Sequence, residues 1–252
     1  MFAEERKAKI LEILNNTQRI QVNDLTEALQ VSESTIRRDL QDLEQAGLLK
    51  RTHGGAVKLE NTGFEATMVE KEQVNIDEKI EIGKRAAAFI EDNDTVILDA
   101  GTTTLQIAKN ITANNVTVLT NSILIATELS QRTNINVVVT GGHVRRETVS
   151  IVGPLTDKII QSFRVDKVFI GANGITLQDG CTTPNLDEAH TKRVMTKSGK
   201  EIYIVADHTK FGKVSFSRFV SLQEVDGIIT DKGIDNKIVD KFASKDIQVI
   251  YT

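Results

Sequence analysis

The hydrophobic period changes once along this chain, and that change limits the fold more than any other feature. Through residues 1–58, apolar residues recur at helical spacing: Ile10, Ile13 and Leu14, then Val22, Leu25, Ala28 and Leu29. From residue 75 to 252, short β-branched runs alternate with helical runs. Between them, LENTGFEATMVEKEQV (59–74) is polar and without a clear period, and reads as a linker. With 252 residues in all, two unequal domains are expected, over 1–58 and 75–252.

Composition then removes whole classes. A formal charge of −4 gives no global attraction to nucleic acid, so any DNA-binding charge must be local. One cysteine, Cys181, excludes an intramolecular disulfide and a cysteine-based structural zinc site. The opening MFAEERKAKI lacks the apolar stretch of a secretory signal. No apolar run approaches the ~18 residues that span a membrane. Two prolines are too few for a proline-rich linker. The expected location is the cytoplasm, with no membrane partner.

In the first stretch, helices are expected over about 3–15, 22–30 and 33–46, with Ser32 as N-cap and Gly47 as stop. LLKRTHGGAVKL (48–59) reads as two short strands around a Gly54-Gly55 turn that tolerates positive φ. Three helices and a hairpin make a winged helix-turn-helix. On the third helix Ile36, Leu40 and Leu43 cluster within about 60°. Ser34, Arg37, Arg38, Gln41 and Gln45 face away from them. Arginine can bond the guanine edge twice, glutamine can read adenine, and serine can take phosphate or base. The proposed wing carries Lys50, Arg51 and His53, placed to reach phosphate. Candidate DNA-binding residues are therefore Ser34, Thr35, Arg37, Arg38, Gln41, Arg51, His53 and Gly54. The plain alternative is a small helical domain with solvated arginines, since residues 1–58 hold nine basic and nine acidic side chains.

In the second stretch, strands are expected at 95–100, 116–121, 135–140, 167–172, 201–206, 226–230 and 247–252. Helical runs fall at 77–91, 103–111, 122–132, 187–198 and 234–244. Alternation of this kind implies a doubly wound, mostly parallel α/β sheet. The loop DAGTTT (99–104) joins a strand to a helix start, where amides, hydroxyls and the helix dipole can cradle phosphate. It matches neither a Walker loop nor a GxGxxG fingerprint, so ATP and NAD are disfavoured and no cofactor is expected. TNS (120–122), TGGH (140–143), GANG (171–174) and DHTKFG (207–212) also follow strands. In a parallel sheet all of these loops emerge at the carboxyl edge, where open α/β folds bind ligands. Candidate effector-binding residues are Asp99, Gly101, Thr102, Thr103, Thr104, Asn121, Gly141, Gly142, Asp207 and Lys210. Lys210 would bring positive charge, and Asp99, Asn121 and Asp207 would accept hydrogen bonds from sugar hydroxyls. Cys181 reads as an ordinary loop thiol, and His143 as a surface residue. Arg145-Arg146 fit either a phosphate or solvent. His190 with Asp187 and Glu188 lacks the further ligands a metal would need. No metal and no catalytic residue is assigned.

Several of these motifs carry a family resemblance. Ser32-Glu-Ser-Thr-Ile-Arg-Arg-Asp-Leu40, with Arg6 and Ile10 before it and His53-Gly-Gly-Ala56 after it, resembles the N-terminal domain of the DeoR family of bacterial transcriptional regulators. Glu78-Lys79, Asp99-Ala-Gly-Thr-Thr-Thr104, Thr140-Gly-Gly142, Gly171-Ala-Asn-Gly174, Thr182-Thr-Pro-Asn185 and Asp207-His-Thr-Lys-Phe-Gly212 resemble its effector domain in order. The linker departs from the family by carrying acids where an arginine is often found. The resemblance implies an effector domain related to sugar-phosphate isomerases of the ribose-5-phosphate isomerase and glucosamine-6-phosphate deaminase type. It implies a repressor of a sugar-utilisation operon, released by a phosphorylated sugar. Within the family the chain resembles fructose-operon and lactose-phosphotransferase repressors, which implies fructose 1-phosphate. GANG has no acid where the isomerases carry one, which argues for a sensor rather than an enzyme. Asp99 and Asp207 remain available as bases, so the alternative is an isomerase-like enzyme with an appended DNA-binding domain. A second alternative is a DNA-binding protein whose other domain only oligomerises. Expected partners are double-stranded operator DNA, the sugar phosphate, and further copies of the chain as dimer or tetramer.

Overall fold

A computed structural model describes residues 2–17, 19–52, 54–58, 65 and 67–252. The chain divides into two compact units, Met1–Ala66 and Thr67–Thr252.

The first unit holds α1 (Ala3–Thr17), β1 (Arg19–Gln21), α2 (Val22–Leu29), α3 (Glu33–Gln45), β2 (Lys50–Thr52) and β3 (Gly55–Val57). Ile10 and Leu14 of α1, Leu25 and Leu29 of α2, and Ile36, Leu40 and Leu43 of α3 converge in one apolar cluster, because each helix carries its apolar residues three or four apart. Ser32 caps α3, accepting from the Thr35 amide at 3.3 Å. Gly47, at φ +70°, ends it in the left-handed region. The sheet has three strands, in the order β1-β3-β2, rather than the two expected. Gly55, expected in the turn, instead opens β3 and pairs with Thr52. Gly55 is required for a different reason. A Cβ there would lie 1.9 Å from the Ile20 carbonyl oxygen across the β1–β3 pair.

The second unit begins inside the segment read as linker. Thr67 and Glu70 form a capping box on α4 (Met68–Gln73), and the Met68 amide donates to the Glu147 carbonyl at 2.7 Å. There follow α5 (Ile76–Ala87), β4 (Thr95–Leu98), α6 (Thr102–Asn110), β5 (Val116–Thr120), α7 (Ile123–Leu129) and β6 (Ile135–Val139). Next come β7 (His143–Arg145), β8 (Ser150–Val152), α8 (Pro154–Gln161), β9 (Val165–Gly171), β10 (Gly174–Thr176), β11 (Gly180–Thr183) and α9 (Leu186–Thr196). The chain closes with β12 (Gly199–Val205), β13 (Ser217–Val220), β14 (Gly227–Thr230), α10 (Asn236–Ala243) and β15 (Val249–Tyr251).

All seven expected strands enter one sheet, in the order β15-β14-β12-β9-β4-β5-β6, and every pairing in it is parallel. Alternate residues of each strand feed separate cores. Val96, Leu98, Phe169 and Tyr203 pack with Ile82 of α5, Ile107 of α6 and Ile125 of α7. Ile97, Val168, Ile170 and Ile204 pack on the other face with Ile160 of α8, Met195 of α9 and Phe242 of α10. Helices on both faces make the fold doubly wound, as expected. A small antiparallel sheet, β10-β11-β13, lies on the second face. It places Cys181 in a strand and wholly buried, not in a loop, and burial pushes its thiol up to about 12. Among the described residues no helix is long and apolar enough to cross a membrane.

The order of the strands positions the site. Successive strands run outward from β4 through β5 to β6, and the chain then returns to β9 on the other side of β4. The direction of winding therefore reverses between β4 and β9. At such a switch point the loops after neighbouring strands diverge and leave a crevice at their carboxyl ends.

Candidate functional site

The exposed face of α3 presents Ser34, Arg37, Arg38 and Gln41, as the wheel requires, while Thr35 is half-buried. Arg37 makes an i, i+4 pair with Glu33 at 2.9 Å, with both side chains more than half exposed. A surface pair of this kind is worth little, so Arg37 is free to exchange it for DNA. Asp39, in the same run, turns inward. It is buried and accepts from Arg6 of α1 at 2.5 and 3.1 Å, which accounts for Arg6 belonging to the motif. Ser34, Thr35 and Arg38 line a cleft of about 440 Å³ together with Arg6 and Lys7 of α1. On the wing, Arg51 is tied back to α3, its amide donating to Glu44 at 2.9 Å. The Gly54 carbonyl accepts from the Val22 amide at 2.9 Å, so Gly54 joins the wing to α2. His53 lies outside the described residues.

In the second unit, Asp99 leaves the end of β4 buried at the switch point. Its Oδ2 accepts from the Gly171 amide at 3.1 Å and from the Lys192 ammonium. Lys192 also donates to the Gly171 carbonyl at 3.1 Å. The two loops at the switch are thus pinned together by a lysine of α9 that is only 5 % exposed. Burial pushes the Asp99 carboxyl up, against the pull of Lys192. One turn earlier on α9, Glu188 accepts from Thr148 at 2.5 Å and Ser150 at 3.0 Å, and pairs with Arg145 at 2.6 Å. Burial alone would raise its pKa, but Lys192, Thr148 and Arg145 outweigh that and hold it low. Sequence reasoning missed both α9 residues. The available signal was a lysine and a glutamate at positions facing inward among Ala189, Val194 and Met195.

The rest of the 99–104 loop is largely buried, with Thr102, Thr103 and Thr104 all inside. Gly101 is the N-cap of α6, and no side chain among the described residues caps that helix. Thr104 donates to the Gly101 carbonyl at 3.0 Å. The hydroxyls of Thr102 and Thr103, each 8 % exposed as residues, make no hydrogen bond among the described residues. Asn121 is already committed. Its Oδ1 accepts from the Ala100 amide at 2.9 Å, and its Nδ2 donates to the Ile151 carbonyl at 3.1 Å, so it shapes the loop. Gly141 and Gly142, after β6, face α8. The Gly141 carbonyl accepts from Thr156 at 2.7 Å. Gly142, at φ +146°, has no room for a Cβ, which would meet the Thr156 hydroxyl at 2.2 Å.

Asp207 follows β12, two strands from Asp99 and therefore about 10 Å along the sheet. It is buried, accepts from the Thr209 amide at 3.0 Å and from Asn75 at 3.1 Å, and pairs loosely with Lys210 at 3.9 Å. Burial raises its pKa, but Lys210, Thr209 and Lys79 together hold it below the ordinary value. Lys210 is about one-third exposed and so can meet an anion. His208 is gripped by Asp231, through its amide at 2.8 Å and its Nδ1 at 2.7 Å. Among the described residues no cluster of His, Cys, Asp and Glu is arranged to hold a metal.

A winged helix with an exposed polar recognition face, joined to a doubly wound unit with uncapped groups at its switch point, defines a DNA-binding regulator with a sensor domain. Residues 6–62 match the DeoR-like helix-turn-helix domain, and residues 74–232 match the DeoR C terminal sensor domain. The chain is 37% identical over 251 residues to the HTH-type transcriptional regulator GlpR of Haloferax volcanii, covering 99% of this chain and 98% of that one. It is 33% identical over 249 residues to a putative aga operon transcriptional repressor of Escherichia coli O157:H7, covering 98% and 93%. The chain belongs to the DeoR family of transcriptional regulators and is not an enzyme of the isomerase type. Among solved structures, ribose 5-phosphate isomerase A of Methanocaldococcus jannaschii is similar over 54% of this chain and 55% of its own, with a TM-score of 0.40 and 15% identity. A likeness that slight carries no functional argument.

Proposed function

We propose that the protein represses a sugar-utilisation operon, and that a phosphorylated sugar bound at the carboxyl edge of the second unit controls its grip on DNA. DNA binding belongs to residues 1–58, with Arg37, Arg38 and Gln41 reading base edges. Ser34, Thr35, Arg51, His53 and Gly54 serve the backbone contacts. Effector binding belongs to 75–252. The observation that carries this reading is the uncapped start of α6 at the switch point, with the Thr102 and Thr103 hydroxyls unused. Helix N-terminal amides and hydroxyls suit a phosphate group. Lys210, in the loop two strands away, supplies positive charge at the same edge of the sheet. Asp99 and Asp207, buried and already hydrogen-bonded, would take sugar hydroxyls only with their free lone pairs, while Asn121, Gly141 and Gly142 shape the loops. Fructose 1-phosphate is the first effector to try. A single recognition helix reads too few bases for useful specificity, so the working form in the cytoplasm is a dimer or tetramer on repeated half-sites. The relative whose name includes an operon repressor supports the direction of control.

The test is thermal melting against a panel of sugar phosphates, with the free sugars and inorganic phosphate as controls. A ligand at ~100 times its Kd stabilises the domain that binds it by ~2.7 kcal/mol, a shift of several degrees. One sugar phosphate should give that shift in the wild type, and Lys210→Met should lose it. A panel that leaves the melting curve unmoved refutes the sugar-phosphate reading.

A further inference from the structure

Lys79, on α5, is only 4 % exposed, and its direct acceptors are neutral. Its ammonium donates to the Lys71 carbonyl, and to the Val74 carbonyl at 2.5 Å. Both belong to the end of α4 and the residue that follows it. The charged groups facing Lys79 are Asp207, Lys210, Lys71 and Glu78. Burial pushes its pKa down to about 8, Asp207 opposes that, and Lys210 adds to it. Asn75, between α4 and α5, sits at φ +52°, a conformation that asparagine tolerates better than most residues. Its Nδ2 donates to Asp207 Oδ1 at 3.1 Å. The carboxyl end of α4 is thus held by two side chains that both answer to Asp207, one through a hydrogen bond and one through charge. A six-residue helix is too short to be stable without such holds. In chain order, α4 is the first element after the tract that follows the DNA-binding unit.

We propose that Asn75 and Lys79 are positioning residues that tie α4 to the charge of the Asp207–Lys210 loop, so that an anion accepted by Lys210 firms α4. The proposal rests on the reading of this loop as part of the effector site. The sign follows from the charges. An anion on Lys210 cancels the repulsion that Lys210 exerts on the Lys79 ammonium. The Lys79 ammonium is then repelled less from its place against the Lys71 and Val74 carbonyls.

Amide exchange of the full chain, read by mass spectrometry, separates the outcomes. Lys79→Met keeps the length of the side chain, and Asn75→Gly keeps the left-handed backbone. Without any anion, both variants should speed exchange through residues 68–74 by ~10-fold or more, while β4, β9 and β12 exchange as in the wild type. Fructose 1-phosphate or inorganic phosphate should then slow residues 68–74 in the wild type. In Lys79→Met it should slow only residues 207–212. Unchanged exchange of 68–74 in the anion-free variants would overturn the proposal. So would a wild type in which the anion protects 207–212 and leaves 68–74 as it was. An anion that protects neither segment would contradict the effector-site reading instead, and the anion-free comparison would still decide the roles of Asn75 and Lys79.

Discussion

A buried lysine whose nearest acceptors are carbonyls leaves a mark on stability that can be read directly. Lys79 titrates at about 8 in the folded chain against an ordinary 10.5. Between those two values the unfolded chain holds a proton that the folded chain has released. Stability therefore rises with pH across that window, by at most about 1.4 kcal/mol per pH unit for one proton. Urea midpoints at pH 8 and pH 10 should show wild type gaining on Lys79→Met as pH rises. A constant gap between the two proteins would remove the assignment. Lys192 is the contrasting case, since it meets the Asp99 carboxylate directly. Neither role is legible in the sequence. Lys79 belongs to a recognisable Glu-Lys pair, but its acceptors are main-chain carbonyls that any residues could supply. Lys192 lies 93 positions from Asp99, and only the return of the chain across the switch point brings them together.

At the scale of elements, the hydrophobic period did most of the work. The seven strands of the main sheet and the polar face of α3 follow from it, because buried parallel strands are runs of β-branched residues and a surface helix keeps its apolar positions three or four apart. The shorter elements escape it. β1 has three residues and no alternation to detect. α4 is a single capped turn and a half, fixed by contacts rather than by propensity. α8 carried a signal that went unused, Pro154 at its first turn. The recognition helix yields its own prediction. Among the described residues Arg37 is tethered only to a surface glutamate, so Arg37→Ala should leave the melting temperature near wild type. It should weaken operator binding by ~1–3 kcal/mol if Arg37 reads a base. A gel-shift titration with unchanged affinity would assign base reading to other residues of the face.

At the scale of the whole molecule, the proposed function couples two compact units. Linkage requires only that the effector bind better to one state of the sensor than to another, and that the two states present the DNA-binding units differently. The candidate effector-binding groups lie at the carboxyl edge of the sheet, and Asp207 of the loop after β12 accepts from Asn75, between α4 and α5. The most direct measurement is fluorescence anisotropy of an operator fragment, selected by the protein from random DNA, titrated with full-length chain. It would be run with and without the sugar phosphate that shifts the melting curve. This ligand should weaken operator binding by about 5- to 150-fold, the range that about 1–3 kcal/mol of coupling allows, and Lys210→Met should bind operator normally but no longer respond. A ligand that stabilises the protein yet leaves the operator titration unmoved would contradict that coupling.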